Sequence, residues 1–121
     1  MSDYAPIFDD GDEFTLTTSA AVTGGQLLAI SGDKTVAPTS TATAAWVGVA
    51  AYDAPSGARV TVLTEGVQEL AASAAITAGA AVIPAASGKV ATIGSVTDYS
   101  QVVGVAISTA ADGKVWVKLA R

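Results

Sequence analysis

The chain contains no cysteine and no histidine among its 121 residues. The first absence removes disulfides, thiolate nucleophiles and zinc–thiolate sites together. The second removes the commonest general base and the commonest transition-metal ligand, and it is the strongest single argument against catalysis. Cationic side chains are also few. Lys34, Arg59, Lys89, Lys114, Lys118 and Arg121 are scattered along a chain of formal net charge −5. They form no run that could neutralise a phosphate backbone or hold an anionic bilayer surface, so neither nucleic acid nor membrane is expected as a partner. The segment Met1 to Phe14 carries acidic residues where a secretion signal needs a basic start and an apolar run. The Ala-rich stretch from Ala71 to Ala81 is broken by Ser73, Thr77 and Gly79, far short of the ~20 apolar residues of a spanning helix. A soluble chain is expected.

Half of the residues are apolar, yet only 6% are aromatic, so the apolar content comes from Ala, Val, Ile and Leu. Small side chains bury little area, and burial returns only about 25 cal/mol per Å². The core is expected to be shallow, and self-association or a partner is expected to add stability. A length of 121 residues fits one ordinary domain.

Short runs of β-branched residues bounded by Gly, Pro, Asp and Ser recur from Phe14 onward. They predict strands over Glu13–Thr18, Gln26–Ser31, Thr35–Pro38, Trp46–Tyr52 and Arg59–Glu65. The second half predicts Gln68–Leu70, Ala81–Pro84, Val90–Ile93, Gln101–Ile107 and Lys114–Leu119. That pattern is all-β, a sandwich or small barrel. Alternation in Arg59–Thr64 and Lys114–Leu119 sets Val on one face and Thr, Trp or Lys on the other. Helix competes only at Glu69 to Ala75, through the high helical propensity of Ala, and Thr77-Ala78-Gly79 leaves room for no more than one turn.

Comparing the chain with itself reveals a repeat. Val22-Thr23-Gly24-Gly25 returns as Ile76-Thr77-Ala78-Gly79, 54 residues later. Ser31-Gly32-Asp33-Lys34-Thr35-Val36 returns as Ala86-Ser87-Gly88-Lys89-Val90. Trp46-Val47-Gly48-Val49-Ala50 returns as Val102-Val103-Gly104-Val105-Ala106 at an offset of 56, and Arg59-Val60-Thr61-Val62 as Lys114-Val115-Trp116-Val117 at 55. Four elements in one order predict two pseudo-symmetric copies, about 14–66 and 67–121, within a single β domain of residues 14–121, preceded by an N-terminal arm of residues 1–13. One copy is too small to cover both faces of its own sheet, so the two are expected to pack into one joint barrel or sandwich. Gly48 and Gly104, inside apolar strands, fit a bulge or a close crossing of backbones at that joint.

No residue set points to catalytic, cofactor-binding or metal-binding chemistry. Asp9-Asp10-Gly11-Asp12-Glu13 lacks the spacing of a calcium loop and reads as a solvated acidic turn. Asp53, Glu65 and Glu69 offer the residue type of a glycosidase pair, but seven aromatic residues in all are too few for the stacking platforms of a sugar cleft. Trp46 and Trp116 are candidates for a subunit interface, since a buried Trp is a strong anchor, with core filling the competing role. The segment Ser2 to Phe8 lies outside the repeats and is unusually apolar for a frayed terminus. Tyr4, Pro6, Ile7 and Phe8 are therefore expected to anchor an arm on a partner surface.

The arm, the run Asp12-Glu13-Phe14-Thr15-Leu16-Thr17-Thr18, the two Val-Gly-Val-Ala segments and Ala54-Pro55-Ser56-Gly57-Ala58-Arg59-Val60-Thr61-Val62 together resemble the small capsid decoration, or cement, proteins of tailed bacteriophages. The resemblance implies a small β-barrel or β-tulip-like sandwich with an extended arm. It also implies a homotrimer on the outer surface of the expanded head, bridging neighbouring copies of the major capsid protein, made in the host bacterial cytoplasm, with the arm reaching the shell. Another virion role, as a head fibre or tail component, is the alternative within that class. A cell-surface or carbohydrate-binding β module is the alternative outside it.

Overall fold

The computed structural model describes residues 13–95 and 97–119. Tyr4, Pro6, Ile7 and Phe8, and the acidic cluster up to Asp12, lie outside the described residues. The chain within them is all-β. Strands β1 (Glu13–Thr18), β2 (Leu27–Gly32), β3 (Thr35–Pro38), β4 (Trp46–Ala50) and β5 (Arg59–Leu63) close into a barrel in the order β1-β3-β2-β4-β5. Strands β6 (Val67–Ala71), β7 (Ala81–Pro84), β8 (Val90–Thr92), β9 (Gly104–Ala106) and β10 (Lys114–Leu119) form a second sheet in the order β6-β10-β9-β7-β8.

Every strand falls on an expected segment. The largest difference is the run Gln101–Ile107, where strand is confined to Gly104–Ala106. A 3-10 turn, Tyr99–Gln101, takes the place of its start. There the Asp98 carboxylate accepts from the Ser100 N–H at 3.1 Å and from the Ser100 hydroxyl, a local bonding pattern that competes with a ladder. No helical turn forms over Glu69–Ala75. β6 pairs with β10 as far as Ala71, and Ala72 bridges Val90, so sheet pairing overrides the helical preference of Ala.

The second sheet repeats the first pair by pair. Thr15↔Thr61 becomes Glu69↔Trp116, Leu27↔Val49 becomes Ala81↔Val105, Val49↔Leu63 becomes Val105↔Lys118, and Leu28↔Pro38 becomes Val82↔Thr92. The turns repeat too. Gly25 and Gly79 both have φ +92, and their N–H groups donate to Ala50 O at 2.8 Å and to Ala106 O at 2.7 Å. The difference is closure. In the first barrel β1 and β3 pair in parallel through Thr17↔Thr35 and Thr18↔Val36. In the second sheet the counterpart is the single parallel bridge Ala72↔Val90.

Of the expected barrel or sandwich, the chain forms a barrel and a nearly closed sheet, one per copy, packed together through a shared cluster. Small residues make this possible: Leu28, Val36, Ala50, Val60 and Val62 fill the barrel interior, and five short strands enclose only that much volume. A second cluster joins the copies. Leu27 and Val49 lie opposite Leu28 and Ala50 along β2 and β4, so they face away from the barrel interior, and with Trp46 they pack against residues of the second copy such as Leu70, Val82 and Val115. Gly48 and Gly104 do mark close approaches, but inside each copy and not at the joint. A Cβ on Gly48 would run into Leu63 O, and one on Gly104 into Lys118 O, the two carbonyls being counterparts. At Gly48 the β2–β4 register also slips, from Leu28↔Gly48 to Ala29↔Trp46, a bulge at Val47.

Candidate functional site

The burial of β10 alternates strictly, so Val115, Val117 and Leu119 point inward and Lys114, Trp116 and Lys118 outward. Register then assembles a surface around Trp116. On one side β6 brings Glu69 opposite Trp116 and Val67 opposite Lys118. On the other, β9 brings Val105 opposite Lys118, and the Ile107 N–H donates to Trp116 O at 2.8 Å. Trp116 is 53% exposed, with Val67 at 49%, Ile107 at 48% and Val105 at 46%. Val67, Glu69 and Trp116 line a shallow depression of about 340 Å³. The result is a mixed surface in two rows, Val67–Lys118–Val105 and Glu69–Trp116–Ile107, in which Lys118 stands between the two valines and Glu69 is the carboxylate beside the indole.

The fold does not require this patch. The counterpart of Trp116 in the first barrel is Thr61, that of Ile107 is Ala51, and that of Glu69 is Thr15. The same strand positions are occupied by small or polar residues there, and the barrel closes. An exposed Trp among exposed aliphatic residues is the composition of a contact surface.

Of the two tryptophans, Trp46 is 2% exposed and belongs to the shared core, where it offers nothing to a second chain. Trp116 is on the surface. The carboxylates Asp53, Glu65 and Glu69, set aside above as a glycosidase pair, differ in role. Asp53 accepts from the Gly24 N–H at 2.8 Å and so holds the turn before β2, while Glu65, at the end of the first copy, and Glu69, on β6 of the second, are exposed. Among the described residues no group of three or more His, Cys, Asp or Glu side chains could hold a metal ion. A Ser-x-x-Lys spacing, Ser31 to Lys34, does occur. It spans a tight turn, not one face of a helix, and the Ser31 hydroxyl is shared with Ser19 at 2.6 Å and Thr35 at 3.2 Å, an arrangement that makes no activated nucleophile. Sequence alone does not reveal the patch itself. The alternation of β10 shows Trp116 and its lysines pointing one way, but Val67, Val105 and Ile107 join them only through cross-strand register.

The family model for phage cement protein matches residues 8–120. Among solved structures the chain is similar to the head fiber gp8.5 N base of bacteriophage phi29, with 22% identity over 89% of this chain and 92% of that one and a TM-score of 0.67, a likeness of fold. No curated protein matches the chain.

Proposed function

Because this chain belongs to the phage cement protein family, a phage structural protein associated with the capsid, we propose that it decorates the outer surface of the expanded head and bridges neighbouring major capsid subunits, without catalysis. The observation that carries the reading is the family match across residues 8–120. It is supported by a chain without His or Cys, a small-residue core and a mixed contact surface around Trp116.

The physical logic is avidity. A contact too weak to hold one small protein becomes lasting when it is repeated around a symmetry axis and over a lattice. On this reading the protein sits as a homotrimer, Tyr4, Pro6, Ile7 and Phe8 hold the shell, and Trp116 serves contact between copies. A second reading is a head fibre base, favoured by the fold shared with the phi29 head fiber gp8.5 N base. The two differ in whether a fibre extends beyond the β units in the assembled particle and not in the attachment itself.

The test is to mix the purified protein with undecorated, expanded capsids of its phage. Saturable density at the threefold and quasi-threefold positions is the expected result, and its absence removes the reading. Deleting residues 2–8, outside the described strands, is expected to abolish shell binding with an unchanged circular dichroism spectrum. Undiminished binding would take the shell-holding role away from the arm.

A further inference from the structure

The outward face of β6, β10 and β9 runs in rows along β10. Val67, Lys118 and Val105 share the first, Glu69, Trp116 and Ile107 the next, and Ala71 and Lys114 the one after. A cation thus stands on either side of the half-exposed indole. Glu69 is the one carboxylate on these three strands, with Glu65 in the link before β6 and Asp112 in the turn before β10. β6 is the end strand of its sheet, which leaves the face open on that side.

The chain before β1 has the same order with the opposite charge. Leading away from β1 come Asp12, Asp10 and Asp9, then Phe8, Ile7 and Tyr4, then Asp3, with no Lys or Arg in residues 1–12. Acid, apolar, acid faces Lys118, Trp116, Lys114. The path of the chain also brings the two together. Glu13 pairs with Leu63 at the end of β5, and because the pair is antiparallel the chain before Glu13 leaves in the direction in which β5 leads on to β6. Val67 follows Leu63 by four residues, a link of at most about 14 Å, and the five residues from Glu13 back to Phe8 extend to about 17 Å. Phe8 can therefore reach the row of Val67 and Lys118. From Lys118 to Lys114 is about 13 Å along the strand, inside the ~20 Å that Asp3 to Asp9 can span. The matching face of the first barrel has Thr15, Thr61 and Ala51 at its centre and offers no such seat.

We propose that in the free protein residues 3–12 lie across the Trp116 face of their own chain, with Asp9, Asp10 and Asp12 beside Lys118, Ile7 and Phe8 over Val67 and Trp116, and Asp3 toward Lys114. Tethering selects the chain's own segment over that of a second molecule. A segment held a few residues from its seat has an effective concentration in the mM range. The seat has a consequence that rests on the function proposed above, in which the arm holds the shell and Trp116 serves contact between copies. Before assembly each of the two surfaces covers the other. A shell competes for the arm, and a chain offers Trp116 to a neighbour only once its arm has moved, so copies join on the particle and not in solution.

The two tryptophans make the contact visible, since Trp46 is buried and Trp116 is open to a quencher. In dilute free protein, acrylamide is expected to quench the full chain less than a chain lacking residues 2–8, whose emission also shifts to the red. In a Trp116→Phe background that difference is expected to vanish. Ile7→Ser combined with Phe8→Ser is expected to match the deletion, and Lys118→Glu to raise quenching of the full chain, all with unchanged circular dichroism. The protection is expected to be constant on serial dilution. Equal quenching of the full and shortened chains would overturn the seat. Protection that fades on dilution would place the arm on a second molecule and overturn it as well. Loss of capsid binding with the protection intact would instead remove the shell reading alone.

Discussion

Trp46 and Trp116 show how the same residue type takes opposite roles. Trp46 is 2% exposed within the shared core, and Trp116 is 53% exposed on β10. Trp46→Ala leaves a large cavity and is expected to cost about 3–5 kcal/mol of unfolding free energy in urea titrations. Trp116→Ala is expected to stay within about 0.5 kcal/mol of the parent, as a surface substitution does. A large loss from Trp116→Ala would make the residue part of the fold and not of a contact surface. Two glycines make a second matched comparison. A methyl group on Gly48 meets the Leu63 carbonyl, whereas Gly25, at φ +92, has open space around it. Gly25→Ala is expected to cost about 1–2 kcal/mol from left-handed backbone alone. Gly48→Ala is expected to cost about 1–3 kcal/mol more, because two strands must separate. Equal losses in the two variants would place the requirement in backbone angle and not in strand approach.

At the level of strands and turns, what governs the architecture is register. β2, β4 and β5 keep the same partners as β7, β9 and β10, and the junction between the two sets is sealed by Thr39, which is 2% exposed and bonds to Ala85 O at 2.7 Å. Thr39→Val keeps the shape and removes the donor, leaving a carbonyl short of a partner at the seam. The expected cost is about 1–3 kcal/mol, measured by denaturant midpoint, and a neutral effect would mean that water replaces the hydroxyl. The strands themselves were readable in the sequence because they are short apolar and β-branched runs bounded by turn residues, some of them with positive φ, as at Lys34 and at Asp112-Gly113. The closure of β1 on β3 was not readable. It depends on two parallel pairs, Thr17↔Thr35 and Thr18↔Val36, and no periodicity distinguishes them from the single bridge Ala72↔Val90 that leaves the second sheet nearly closed. The contact surface was half readable for the same reason: Lys114, Trp116 and Lys118 follow from alternation along one strand, whereas Val67, Val105 and Ile107 come from strands far away in sequence.

For the molecule as a whole, the question is whether two barrels-in-outline behave as one folding unit. The barrel interior of the first copy is self-contained in Leu28, Val36, Val60 and Val62, which argues for independence. Against this, Leu27, Trp46 and Val49 of the first copy are buried only because the second copy covers them, and they share one cluster with Leu70, Val82 and Val115. Separating the copies would expose these large aliphatic and aromatic side chains at a cost of roughly 1.5–3 kcal/mol each, and would break the bonds at Thr39 and Gln26 as well. A chain with a shallow core has little stability to spare beside that sum. The sequence expectation of one domain over residues 14–121 predicts one cooperative transition in calorimetry, with matching calorimetric and van't Hoff enthalpies. Val60→Ala in the first barrel and Val115→Ala in the second sheet, both fully buried, are expected to shift that same transition downward. Two resolved transitions, each moved by only one of the variants, would show that the copies fold separately and that the shared cluster is a docking contact between domains.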